Sequence, residues 1–165
     1  MQKPRPSPRH RAAQVFEALA GILFAVILVL AIGQVFTRYV LNSPTSWTEE
    51  VARLLLVWAT FVAIGAAALK EEFMAVDIVL ERLPFRMHAA AKVVINALLA
   101  AVGIVLVVYG WKLFQFTAGD TSTSLGYPRN LIYLPVPVGG LLLTVFSLLN
   151  AVTHARTALQ PRPRE

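Results

Sequence analysis

Polar and apolar positions along this chain are segregated into blocks. Four stretches carry no charged residue: 18–37, 54–69, 93–111 and 131–153. A helix rises about 1.5 Å per residue, so about 20 apolar residues cross a hydrocarbon core about 30 Å thick. The first, third and fourth stretches reach that length unaided. The second does so only with its flank. Ser46 followed three residues later by Glu49 fits a capping box, with Pro44 just outside it. A helix from Ser46 to Leu69 is long enough to span with some tilt. It places Trp47 at interface depth, where indole rings prefer to sit, and takes Glu49, Glu50 and Arg53 into the helix. The pattern predicts an all-α membrane protein with four transmembrane helices.

Between the second and third stretches, Phe73, Val76, Val79, Leu80 and Leu83 recur at helical spacing, while Asp77, Glu81 and Arg82 fall elsewhere. This predicts an amphipathic helix lying in the membrane interface and ending before Pro84. Both chain ends are rich in Pro and Arg (Lys3-Pro4-Arg5-Pro6, Pro161-Arg162-Pro163-Arg164) and cannot bury a core. The expected organisation is a four-helix domain over residues 15–153, between disordered basic tails at 1–14 and 154–165. No internal repeat is evident.

Composition agrees with a membrane class. Apolar residues make up 57% of the 165 and charged residues 15%, against roughly 25% charged in soluble domains. Cysteine is absent, which removes disulfides, thiol redox chemistry and thiolate metal sites. The net charge of +6 sits in tails and loops around apolar spans, which points to anionic lipid headgroups rather than nucleic acid. The basic start and first apolar run resemble a secretory signal. The run is too long for one, however, and ends at Gln34-Val35-Phe36-Thr37-Arg38 without a small-residue cleavage site, so it reads as a retained helix.

The positive residues also set an orientation. Lys3, Arg5, Arg9 and Arg11 precede the first span. Lys70, Arg82, Arg86 and Lys92 lie in the middle connection, and Arg156, Arg162 and Arg164 follow the last span. Only Arg38, Arg53, Lys112 and Arg129 remain for the other two connections. The positive-inside rule then puts both termini and residues 70–92 in the cytoplasm, and residues 38–47 and 112–130 in the periplasm.

Candidate chemistry is sparse. Arg53 follows Glu50 and Glu49 by three and four positions, so both carboxylates can reach it on one helix face. An ion relay and a structural pair near a partner subunit are both open; the position at a helix end favours the pair. Glu17 opens the first span, where a helix N-terminus favours a carboxylate. His10, His88 and His154 all lie outside the spans, which argues against a haem-bearing anchor. Polar residues within the spans are few, and no catalytic, cofactor or metal constellation is evident, so an enzyme is not expected. Small residues are more telling. Ala59, Ala63 and Ala67 form a small-residue ridge beside Gly65 and Ala66; Ala97 with Ala101 and Gly139 with Gly140 continue the theme. Such surfaces let helices approach closely.

Several of these features together resemble a known family. Arg38-Tyr39, Ser46-Trp47-Thr48-Glu49-Glu50-Val51-Ala52-Arg53 and Val57-Trp58-Ala59-Thr60-Phe61 are similar to the first loop and second helix of the small membrane subunit of tripartite ATP-independent periplasmic (TRAP) transporters. Val76-Asp77 with Leu83-Pro84 resembles that family's cytoplasmic segment. Leu125-Gly126-Tyr127-Pro128, Tyr133 and Pro137-Val138-Gly139 resemble its entry to the last helix. The resemblance covers residues 15–153. One departure is Phe73, where the family often has a His four residues before the Asp; no role of that His carries over. The resemblance implies a multi-pass protein of the bacterial inner membrane with two protein partners. A periplasmic binding protein would capture an organic acid, and a large membrane subunit would move it inward with sodium ions. The small subunit would be a scaffold, with Arg38, Trp47, Glu49, Glu50, Arg53, Trp58, Asp77, Tyr133 and Pro137 as structural or partner-contact residues. The competing reading is a self-sufficient proton-coupled drug exporter with Glu17 as its coupling residue.

Overall fold

The computed structural model describes residues 8–42, 46–71, 85–122 and 126–159. They form four long helices: α1 (Pro8–Tyr39), α2 (Ser46–Lys70), α3 (Phe85–Phe116) and α4 (Pro135–Leu159). A 3-10 turn at Arg129–Ile132 leads into α4. All four helices are long and apolar enough to cross a membrane. α2 begins at Ser46, where the capping pattern placed it. Helical backbone also continues into residues 8–14 and 154–159, at both edges of the predicted four-helix domain. The expected interfacial helix, with Asp77, lies outside the described residues.

Packing joins the helices in an open row. α1 packs on α2, α2 on α4, and α4 on α3. A closed four-helix bundle gives every helix two neighbours around a ring. Here α4, the last helix in sequence, is inserted between α2 and α3, and the outer helices α1 and α3 each have one extended seam. α1 and α4 also meet edge to face at Phe16 and Phe146, with ring centroids 6.4 Å apart.

The seams are built from small side chains. Along α3, Asn96, Gly103, Gly110 and Thr117 recur every seven residues and all are buried, as is Ala100. Gly103 faces Gly140 and Thr144 of α4, and Gly110 faces Val136 and Pro137. A Cβ on Gly103 would stand 2.8 Å from the Gly140 carbonyl oxygen and 2.9 Å from the Thr144 amide nitrogen, so the two backbones are in near contact. Successive helical positions are turned by about 100°. Gly140 therefore faces α3 while Gly139 faces Phe61 of α2. One Gly-Gly pair serves both neighbours of the central helix.

Ala97 and Ala101 do not join this seam; both are exposed. They sit about 100° around α3 from Asn96 and Ala100, and small residues on both faces left the phase of the contact undetermined by composition.

Several buried polar groups are satisfied within the helices, while Asn96 Oδ1 and Ser147 Oγ have no partner among the described residues. The Thr144 hydroxyl donates to the Gly140 carbonyl at 2.8 Å, and the Asn96 amide to the Lys92 carbonyl at 3.0 Å. Asn150 instead reaches across: its amide donates to the Ala68 carbonyl at 2.8 Å and fastens α4 to the last turn of α2. The outer helices leave large apolar surfaces uncovered, among them Ile22, Phe24, Val29 and Phe36 on α1 and Leu98, Val102, Val105 and Phe116 on α3.

Candidate functional site

Polar side chains gather at the two ends of the row. At one end the C-termini of α1 and α3 meet the N-termini of α2 and α4. All four tyrosines, with Trp47 and Trp111, belong to this end. A short turn precedes α4: the Ser122 amide donates to the Tyr127 carbonyl at 2.9 Å, and the Arg129 amide to the Asp120 carbonyl at 2.9 Å. Gly126, at φ 69°, occupies a left-handed conformation that a residue with a Cβ adopts at a cost. This turn docks on α2 because the buried Ser122 hydroxyl donates to the Glu50 carboxylate. Glu50 thus links two segments separated by more than seventy residues.

The other carboxylate of the Glu-Glu pair is used differently. Arg53 donates to Glu49 at 3.3 Å, and both side chains are 64% exposed. An exposed i,i+4 pair of this kind contributes only about 0.3–0.5 kcal/mol. The pair leaves an Arg and a Glu on the surface beside Trp47, itself 43% exposed. The remaining candidates are dispersed, with Trp58 midway along α2. Arg38 lies 6.0 Å from the ring centre of its neighbour Tyr39, Trp58 and Tyr133 are half-buried, and Pro137 is buried against Gly110. They do not converge on one cavity. Asp77 lies outside the described residues.

The opposite end holds a cluster that the sequence reading did not assemble. Glu17 of α1 pairs with Lys70 of α2. Glu71, directly after α2, accepts from the His154 Nε2 of α4 at 2.6 Å, and Lys92 Nζ of α3 lies 3.9 Å from the same oxygen. These ion pairs and the His154 hydrogen bond tie α1 to α2, and the end of α2 to α3 and α4. Glu71 holds φ 56°, an uncommon left-handed conformation for a residue with a Cβ, found where a helix ends. That turn aims the carboxylate back at α3 and α4.

The small-residue ridge of α2 lines an open apolar groove of about 670 Å³ against α1, with Ala59, Ala63 and Ala67 facing Ala20, Gly21 and Phe24. Nothing stands within 4 Å of a Cβ built on Gly21.

Among the described residues this geometry offers helix-packing surfaces and ion-paired ends. Residues 27–157 match the family described as tripartite ATP-independent periplasmic transporters, DctQ component. The putative TRAP transporter small permease protein of Haemophilus influenzae is 23% identical over 87% of this chain and 89% of its own length. The sialic acid TRAP transporter small permease protein SiaQ of Vibrio cholerae is 28% identical over 82% of this chain and 78% of that protein. The chain also aligns with longer proteins. It spans 22% of the sialic acid TRAP transporter permease protein SiaT of Haemophilus influenzae, at 26% identity. With the match running from the second half of the first helix almost to the end of the last, the chain belongs to the DctQ component family, the small membrane subunits of TRAP transporters, and is a multi-pass protein of the inner membrane.

Proposed function

We propose that this chain is the scaffold on which the large membrane subunit of a sodium-coupled, binding-protein-dependent TRAP transporter is mounted. The observation that carries this reading is the open row. The glycines of the α3–α4 seam are used up inside the protein, while Ala97 and Ala101 and the apolar faces of the outer helices stay uncovered. Helix association in a bilayer rests on close van der Waals packing, and the α1–α2 groove with its alanine ridge is such a surface still uncovered. The transported solute is an organic acid, delivered by a periplasmic binding protein. Relatives named for sialic acid, isethionate and ectoine support this class.

The exporter reading is disfavoured by Glu17. A coupling carboxylate works unpaired near the middle of the membrane, whereas Glu17 lies two turns into α1 and is held by Lys70. Co-expressed with a large membrane subunit, the chain is expected to co-purify as a 1:1 complex. Proteoliposomes of that complex, given the binding protein and an inward sodium gradient, are expected to accumulate an organic acid, and the chain alone to do nothing. Solute flux from this chain by itself, or unimpaired uptake in cells that lack only this chain, would overturn the proposal.

The same reading places both termini in the cytoplasm. The native chain has no cysteine, so single cysteines report position directly. Thr121 and Arg156 are both exposed and lie at opposite ends of the row. An impermeant thiol reagent applied to intact spheroplasts is expected to label Thr121→Cys and to spare Arg156→Cys. The reverse pattern would invert the orientation.

A further inference from the structure

α1 and α4 both flank α2, and at the end that carries Glu17, Lys70 and Glu71 a cleft remains between them. It encloses about 280 Å³ and is lined by Arg9, Ala12, Leu69, Phe146, Leu149 and Asn150. The Phe16–Phe146 contact lies one turn further along both helices and forms its inner end. The lining is apolar apart from two groups. Asn150 is buried, and its amide is committed to the Ala68 carbonyl. Arg9 stands at the outer edge with no hydrogen-bond or ion-pair partner among the described residues.

Among the described residues Arg9 has no counterion. The described acidic side chains at this end are Glu17 and Glu71, and they are held by Lys70 and by His154 with Lys92. Arg11 and Arg156 add further positive charge nearby. An apolar wall below an unneutralised guanidinium, at the level where a spanning helix leaves the hydrocarbon, is complementary to a molecule with an anionic head and an apolar chain. The volume is just below the about 300–1,000 Å³ of ordinary ligand pockets, so it accommodates part of an acyl chain while the rest stays in the bilayer.

We propose that this cleft binds an anionic phospholipid of the adjoining leaflet. Its phosphate is held by Arg9, and the upper part of one acyl chain lies against Leu69, Phe146 and Leu149. Guanidinium–phosphate contacts are charge-assisted and directional, so the site distinguishes a net anionic lipid from a zwitterionic one of equal chain length. The lipid fills the gap that the open row leaves between α1 and α4.

The test uses the full chain, purified in mild detergent, delipidated, and titrated with phosphatidylglycerol or phosphatidylethanolamine of matched chains under native mass spectrometry. Phosphatidylglycerol is expected to bind about tenfold more tightly. Arg9→Ala should remove that preference, Arg9→Lys should keep part of it, and Arg11→Ala, outside the cleft, should change affinity less than twofold. Leu149→Trp, which fills the cleft without altering charge, should also weaken binding; should that variant fail to fold, the arginine series decides alone. Equal binding of the two lipids would overturn the proposal, as would an unchanged Arg9→Ala. An Arg11→Ala loss as large as that of Arg9→Ala would show diffuse attraction instead of a site. Displacement of the lipid by chain-free glycerol phosphate at similar concentration would assign the cleft to a free anion and equally overturn it.

Discussion

Replacing Gly103 by leucine is expected to drive α3 from α4 and to lower the thermal midpoint of the purified chain by on the order of 5–10 °C. The first added carbon already meets backbone, at 2.8 Å from the Gly140 carbonyl oxygen and 2.9 Å from the Thr144 amide nitrogen. A rotamer change cannot relieve a backbone collision, so the helices must separate. Overpacking of this kind costs about 1–3 kcal/mol and sometimes more. Separation also forfeits the seam at Gly110, where a Cβ would lie 2.9 Å from the Pro137 ring. Gly103→Ala should show a smaller loss of the same sign. Gly21→Leu is the control: a Cβ there meets nothing within 4 Å, so the isolated chain should keep its midpoint. If Gly103→Leu melts like the unaltered protein, the α3–α4 seam is not as close as described.

The second large effect is expected at Glu71. Its carboxylate is shared by His154 and Lys92, whose side chains are 23% and 22% exposed. Glu71→Ala takes away one charge partner of the partly buried Lys92 ammonium and removes the link between α2 and both later helices. Removing one partner of a fully buried pair costs about 3–5 kcal/mol; with this degree of solvent access, about 2 kcal/mol is expected. The backbone adds a second, separable term. At φ 56° the position is one that glycine occupies freely, so Glu71→Gly should recover roughly 1 kcal/mol of the loss seen with alanine. Combining Glu71→Ala with Lys92→Met should also be milder than the sum of the two changes, because the two side chains share one ion pair. Strict additivity in that cycle would remove Lys92 from the cluster.

Much of the fold was legible because a bilayer imposes it. The first three uncharged stretches fall within α1 to α3, the fourth runs from the turn before α4 through most of it, and the capping pattern at Ser46 marks the first residue of α2. What hydropathy could not supply is the order in which the helices stand side by side. That information lies in the phase of small residues, and Ala97 and Ala101 lie outside the seam that α3 makes. The seven-residue spacing of Asn96, Gly103, Gly110 and Thr117 carries it instead. Glu50 illustrates a second gap. Sequence places it within reach of Arg53, yet its described partner is Ser122, in a segment that folds back through two membrane crossings. The ion cluster left a fainter signal. Glu17, Lys70, Glu71, Lys92 and His154 bracket the four uncharged stretches at the ends that even-numbered crossings bring together. Their pairing depends on distances across sequence separations that no local pattern encodes.

The position of α4 in the row has a consequence for how the protein is made. Helices leave the ribosome in sequence order, and α1 and α2 form their seam as a hairpin as soon as both have emerged. Among the described residues the extended seam of α3 is made with α4, which is still unsynthesised when α3 emerges. Until residues 135–159 enter the bilayer, the third helix stands alone, with its buried line of Asn96, Gly103, Gly110 and Thr117 open to lipid. The last segment to be translated then has to slot between two helices already in place. The Gly139-Gly140 pair, narrow toward both neighbours, suits the helix that performs this step, and the completed row is sealed at its charged end only when His154, near the end of α4, arrives at Glu71.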